Sequence, residues 1–374
     1  MSYTLNRVKQ AVRNSYASHT YTPTDAIIFL TYRCTSQCKA CNIWQREVNI
    51  EDELTWEQWL PILENLAKNN IKSIELFGGD ALLRKDVLVN MVRFCSDNNI
   101  YTFFPTNSSG LTEKIVEDLV DAGLGTIYFS LDEVPDIGES IRGVKRHFDR
   151  VMKSIQLFKK VMGEKKRPRI VCITTVSSMN YRHLETLADI ACEAGADEYE
   201  MHGISEFTTK AVEASAVDGI LPEPYFMPTD GKSHSYTEEE ARELLAILQR
   251  IRKQKDKYRP MSIYMANMEG RKIKNFTELT YPHQTCLFAT TQVVISPYGD
   301  VQPCLYYKDY HLGTLKNHDL SDIWGNGKHK LFCEQQRKHH IPLCDHCGNK
   351  YYHKPFIPAM KDLTRDTFRK LTRT

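Results

Sequence analysis

The stretch "DAIIFLTYRCTSQCKAC", residues 25–41, runs from a short apolar segment directly into three cysteines spaced C-x3-C-x2-C: Cys34, Cys38 and Cys41. Its first half predicts a β-strand, so the three thiols fall on the loop that leaves the strand's carboxyl end. The same rhythm continues downstream. Strand patterns "IKSIELFGGD", "IYTFFPTN", "GTIYFSLD", "RIVCITTVSSMN" and "ADEYEMHGIS" alternate with helical ones such as "VLVNMVRFCSDNN" and "LTEKIVEDLVDAG". The first helix opens on a Thr55-x-x-Gln58 capping box. Six β–α alternations imply an α/β fold with a parallel sheet and helical crossovers, doubly wound or curled into a partial barrel. In either case the chemistry belongs at the carboxyl ends of the strands, where the cysteine loop sits.

Composition narrows the function classes. The chain has 374 residues and a formal net charge of +2, so charge by itself argues for neither a nucleic-acid nor an acidic-membrane partner. Basic residues do gather at both ends (Arg7, Lys9 and Arg13; Arg365, Arg369, Lys370 and Arg373), the pattern of solvated helix faces. No apolar run approaches the roughly 20 residues of a spanning helix, and residues 1–25 lack the apolar core of a signal peptide. A soluble, cytoplasmic protein is expected. In such a chain eleven cysteines point to metal or redox chemistry rather than to disulfides. Cys95 and Cys192 lie in helical patterns and Cys172 in a strand pattern, which makes them structural thiols.

The spacing of the first three has a chemical meaning. A closed structural zinc site takes four ligands, commonly from paired C-x2-C knuckles, whereas this loop supplies three. Three thiolates on a four-iron cluster leave one iron open to bind and activate a small molecule.

With that loop the chain resembles the radical S-adenosylmethionine (SAM) enzymes, whose signature has this cysteine spacing with an aromatic residue before the last cysteine; here that residue is Ala40. "FGGDALLRKDV", "FPTNSSGLT", "YFSLDEVP", the Arg142–Gly143 pair and "TTVSSMN" agree with the family in order, and the resemblance spans about residues 26–206. It implies a partial (β/α)6 TIM-type barrel, SAM as cofactor and a [4Fe-4S] cluster on Cys34, Cys38 and Cys41. It also implies SAM contacts from Gly78, Gly79 and Asp80, from Ser130 and Asp132, and from Arg142, which could pair the SAM carboxylate. The family usually has Glu at the position of Asp80.

A second cysteine set lies near the carboxyl end. Cys286 and Cys304 frame a hairpin pattern with its turn at Gly299, and "CDHC" supplies Cys344 and Cys347. Four thiolates of this spacing suit either zinc or a four-iron cluster. The radical SAM resemblance selects the cluster, because C-x(n)-G-x4-C followed by C-x2-C is similar to its SPASM or twitch extension. No cysteine follows Cys347, so the shorter twitch form with one auxiliary [4Fe-4S] cluster is expected, with Cys333 a spare structural thiol. His339, His340, His346 and His353 crowd the knuckle, and His346 is placed to support a ligand rather than be one.

The expected organisation is thus an N-terminal extension (1–25), a barrel core (26–206), an insertion and linking helix (207–280), a small C-terminal β-hairpin and cysteine-knuckle domain (281–354) and a basic tail (355–374). The expected activity is reductive SAM cleavage to a 5′-deoxyadenosyl radical that abstracts hydrogen from the substrate, with reduced flavodoxin or ferredoxin as electron donor. Because residues 1–25 are too few for a leader-peptide-binding domain, the expected substrate is a small polar molecule. A sugar or aminocyclitol would be dehydrogenated, epimerised or dehydrated. Glu200, His202 and Glu206 after the sixth strand are the candidate bases, Glu200 and His202 sharing one face. The alternatives are modification of a peptide or protein side chain and, outside catalysis, a zinc-stabilised scaffold.

Overall fold

The computed structural model describes residues 22–351 apart from 136–139, 266, 269 and 282–285. Most of the N-terminal extension, the basic tail and His353 lie outside the described residues.

Six strands and five crossover helices follow the predicted rhythm. The strands are β1 (Asp25–Phe29), β2 (Ser73–Phe77), β3 (Tyr101–Thr106), β4 (Thr126–Ser130), β5 (Arg169–Val176) and β6 (Glu198–Gly203). The helices between them are α1 (Trp56–Lys68), α2 (Lys85–Asp97), α3 (Glu113–Asp121), α4 (His147–Met162) and α5 (Leu184–Glu193). The β1 segment is buried at every position because both faces are covered, as in the interior of a parallel sheet. The amphipathic helices close the outer face with residues such as Ile62, Leu66, Met91, Val92, Ile155 and Phe158, all fully buried. Gln58 Oε1 accepts from the Thr55 amide at 2.9 Å, the contact that the capping-box spacing predicts.

Two more parallel strands flank these six. β7 (Ser262–Tyr264) pairs with β6, and β8 (Gln292–Ile295) pairs with β1, Asp25 opposite Gln292 and Ile28 opposite Ile295. β9 (Asp300–Gln302) returns antiparallel to β8 and β10 (Gly313–Thr314) extends it, giving the order β10-β9-β8-β1-β2-β3-β4-β5-β6-β7. The fold is therefore a partial barrel whose sheet edges are β7 and β10. The turn of the β8–β9 hairpin carries Gly299 at φ +86°, as its sequence implies. The hairpin is nonetheless not set apart from the barrel. All four residues of β8 are buried, so they take a central position beside β1 and continue the main sheet. After β6 the insertion leads to α6 (Glu238–Lys253), and after β10 comes α7 (Gly327–Arg337). Among the described residues no helix is long and apolar enough to cross a membrane.

Candidate active site and auxiliary metal centre

The carboxyl ends of β1–β8 surround a cavity of about 520 Å³, and Cys34, Cys38 and Cys41 all line it. Their loop is held from four directions. The end of β2 lies against it, with the Gly79 amide donating to Thr31 O at 3.0 Å and the Asp80 amide to Arg33 O at 2.8 Å. A Cβ on Gly78 would stand 2.3 Å from Thr31 O, and one on Gly79 2.1 Å from Arg33 O. The glycine pair is thus required first by the approach of strand and loop, while both residues also face the cavity. From β3, Asn107 Nδ2 donates to Thr35 Oγ1 at 2.9 Å and to Ser36 Oγ at 2.6 Å. From the segment after β4, the carbonyls of Ile141 and Arg142 accept from Lys39 and Gln37. From the insertion, Thr229 donates its amide to Lys39 O at 2.7 Å and its hydroxyl to Cys38 O at 3.1 Å. The insertion is a wall of the site, bringing Tyr225 and Phe226 to the cavity beside Ala40.

The expected contacts divide. Ser130, Asp132 and Arg142 line the cavity with the thiols. Arg142 directs its Nε to Asp132, whose other oxygen accepts from the Thr175 amide at 2.6 Å. Asp80 does not line the cavity; its carboxylate accepts from the Leu82 amide at 3.1 Å and the Thr35 hydroxyl at 2.5 Å, bracing the cysteine loop. Glu200 and His202 face the cavity and bond to each other at 2.8 Å. Glu206 faces elsewhere: it accepts from the Ser233 hydroxyl at 2.6 Å and the His234 amide at 2.9 Å, tying down the insertion. Among the cavity residues that the sequence reading did not name are Asn107 and Glu75. Asn107 sits in the quoted "FPTNSSGLT" motif, whereas nothing local marks Glu75, whose position depends on β2 facing the barrel interior.

Burial pushes the Cys34 thiol up to about 11 and that of Cys41 up to about 12, and raises Cys38 as well. A bound metal deprotonates such thiols outright. Burial likewise pushes the Glu75 carboxyl up to about 7, helped by the Glu200 charge. For Glu200 burial also favours the neutral form, but the hydrogen bond and charge of His202 outweigh it, and its carboxyl lies below the usual range.

The second set is drier. Cys286, Cys304, Cys344 and Cys347 line one cavity whose walls include Phe288, Tyr306, Tyr307 and Phe332. Burial drives the Cys304 thiol well above its ordinary range. Cys333 is buried away from that cavity, its Sγ 3.9 Å from Ala289 O, and His346 Nδ1 lies 3.2 Å from Leu279 O. Among the described residues no group of three or more His, Cys, Asp or Glu side chains converges tightly enough for one metal ion. Zinc at about 2.3 Å from each sulfur draws tetrahedral ligands to about 3.8 Å of one another. Thiols spread around a cavity fit a cluster-sized group instead.

Comparison with known proteins agrees with this geometry. Residues 28–191 match the radical SAM superfamily, and residues 286–348 match SPASM, an iron-sulfur cluster-binding domain. The chain thus carries a radical SAM domain followed by a SPASM-type domain. Its cofactors are therefore SAM, a [4Fe-4S] cluster and auxiliary iron-sulfur chemistry. It is 25% identical over 312 residues to a PqqA peptide cyclase of Streptomyces rochei, covering 81% of this chain and 75% of that protein. It is 22% identical over 343 residues to a pre-heme d1 synthase of Dinoroseobacter shibae, covering 87% and 79%. Among solved structures, Streptococcus suis SuiB bound to its precursor peptide SuiA superposes with a TM-score of 0.62 at 17% identity, covering 91% of this chain and 74% of that one. That likeness is one of fold.

These relatives overturn the expectation of a sugar or aminocyclitol substrate, since peptide cyclases stand among them. The expectation rested on the shortness of residues 1–25, and the length of a segment outside the barrel says nothing about what the cavity admits.

Proposed function

We propose that this radical SAM enzyme modifies a peptide or protein side chain. The observation that carries the reading is the single cavity that takes in the three thiols, the Gly78–Gly79 turn and an inner layer of ionisable and aromatic side chains. Its volume of about 520 Å³ is that of a ligand site, and the peptide cyclases among the relatives support a polypeptide substrate. SAM and the cluster, when bound, supply a 5′-deoxyadenosyl radical that abstracts a substrate hydrogen.

The chain's own residues do the rest. Cys34, Cys38 and Cys41 would hold the cluster, and the Gly79 carbonyl, 3.3 Å from Cys34 Sγ, points toward the same place. Ser130, Asp132 and Arg142 line the wall beside the thiols and would orient SAM. Tyr225 and Phe226 of the insertion exclude water. Cys286, Cys304, Cys344 and Cys347 would hold one auxiliary cluster, fit to take an electron from a substrate radical, while the Glu200–His202 pair accepts the proton. Reduced flavodoxin or ferredoxin would supply the starting electron.

The test is anaerobic reconstitution followed by reduction with dithionite and SAM. 5′-Deoxyadenosine should form, and candidate peptides should change mass only when SAM is present. A protein that binds iron but never releases 5′-deoxyadenosine would overturn the reading.

A further inference from the structure

The inner end of the cavity has a composition that the radical chemistry does not require. Glu75 of β2, Phe103 of β3, Tyr128 of β4, Glu200 of β6 and Tyr264 of β7 all line it, with Glu75 opposite Phe103 and Glu200 opposite Tyr264 in the strand register. Two are carboxyls on opposite sides of the barrel, near enough that the charge of Glu200 acts on Glu75. No cation answers them both. The cavity's cationic side chains are Arg142, joined to Asp132, and His202, joined to Glu200. Glu75 has neither a hydrogen-bond nor an ion-pair partner among the described residues, and it opens onto the cavity.

Such a group is costly when charged and alone. It becomes favourable when a cation enters, and the neighbouring walls suit one. The Phe103 and Tyr128 rings meet at 5.8 Å between centroids and 59° between planes, and Tyr264 lines the same cavity, so the walls offer rings to a cation.

We propose that this floor is a specificity subsite for a positively charged substrate side chain, with Glu75 as its counter-ion and Glu200–His202 as the facing wall. The inference rests on the peptide reading above and names its substrate class: a polypeptide with a lysine or arginine at the position that enters the barrel. The depth agrees. Glu75 lies two residues below Phe77, about 6.6 Å along a parallel strand, a distance that a four-carbon ammonium stem spans. Its methylenes would then run alongside Phe77 toward Gly79, whose carbonyl lies 3.3 Å from Cys34 Sγ.

The protonation of Glu75 supports this, since a carboxyl pushed up to about 7 by burial and by Glu200 ionises readily when a cation arrives. The groups that face it are Glu200 and His202 on β6, Tyr128 on β4, Tyr264 on β7 and Tyr225 of the insertion, with Glu198 and its Arg169 partner beyond.

The experiment measures binding to the anaerobically reconstituted holoprotein with SAM present and no reductant, by titration calorimetry. The probes are N-acetyl-lysine methylamide, N-acetyl-arginine methylamide, the neutral isostere N-acetyl-norleucine methylamide, and n-butylamine. One of the two cationic amides should bind at least tenfold more tightly than the norleucine amide, and which one it is tells ammonium from guanidinium. Glu75→Gln should erase that preference while SAM binding is kept. In the unsubstituted protein the cationic probe should gain affinity severalfold from pH 6 to pH 8 while the norleucine probe does not, a readout independent of whether the variant folds. Equal binding of the norleucine amide, or a preference that survives in Glu75→Gln, overturns the subsite. If n-butylamine binds as tightly as the capped lysine, the cation floor stands and the peptide reading fails; loss of 5′-deoxyadenosine formation would separately defeat the radical reading.

Discussion

The two cysteine sets of this chain solve opposite problems. The first lies within eight consecutive positions, 34–41, and is useful only because distant elements clamp its loop at a large cavity into which Glu75, Asp132, Arg142, Glu200 and His202 also face. The second is gathered from residues 286–347 and closes around a dry one, with Phe288, Tyr306, Tyr307 and Phe332 as walls. A four-iron cluster held by three thiols would keep one iron without a protein ligand, whereas one held by four would not. The contrast predicts a reacting centre at the first set and an electron-handling or bracing centre at the second.

The largest effect that tests this contrast is loss of the first set. Replacing Cys34, Cys38 and Cys41 together by Ala should abolish 5′-deoxyadenosine formation, at least a hundredfold, while iron content falls from about eight to about four per chain, one cluster's worth. Full turnover, or loss of all the iron, would break the distinction between the sets.

A single methyl group tests the clamp. Gly79→Ala places a Cβ against Arg33 O, so the cysteine loop must move away from β2. The variant should lose the first cluster's iron and its SAM cleavage at least tenfold while the tail keeps its own iron, as seen by anaerobic spectroscopy and metal analysis. Unchanged cleavage would mean that the close approach has no bearing on the first centre.

Cys344→Ala or Cys347→Ala probes the other side. Folded variant should still cleave SAM within a few-fold of the unsubstituted rate, yet peptide product should fall at least tenfold. If product and 5′-deoxyadenosine fall together, the second centre braces the structure and handles no electron.

The smallest effect probes the carboxyls of the larger cavity through stability alone. The folded state holds the Glu75 proton more tightly than an unfolded chain does, with a carboxyl at about 7 against the usual 4.5. Folding is therefore favoured by the proton, and this contribution is lost as pH rises from about 4.5 through 7. Glu75→Gln removes that slope. Its melting temperature should exceed that of the unsubstituted protein above pH 7 and converge with it near pH 5; a gap that widens toward acid would reverse the assignment.

The chain's local signals carried far. The apolar run before Cys34, the glycine ends of β2 and the helical periods were enough to place the first thiols at the carboxyl ends of a parallel sheet, and the Gly299 turn and the Cys344–Cys347 knuckle announced the second set. Other placements were not legible, for identifiable reasons. Asp80 and Glu206 have the right residue types near the right strands, but their carboxylates turn to Thr35 and Ser233, a choice made by loop packing. The three-residue β7 is too short to give a period, and β8 read as part of a separate hairpin until its burial beside β1 joined it to the barrel.

What the sequence determined alone are properties of neighbouring residues: cysteine spacing, alternation of strand and helix, a turn, a cap. Each depends on interactions within a few positions, so each survives in a linear reading. Only the tertiary structure decided which side chains share the lumen. Glu75 and Glu200 share one lumen because β2 and β6 belong to a curled sheet and both side chains line its inner face, and Arg142 is joined to Asp132 because the segment between β4 and α4 folds back on itself. Such encounters depend on strand register and sheet curvature, which the packing of the whole core sets, and with them the charge that the cavity presents to a substrate.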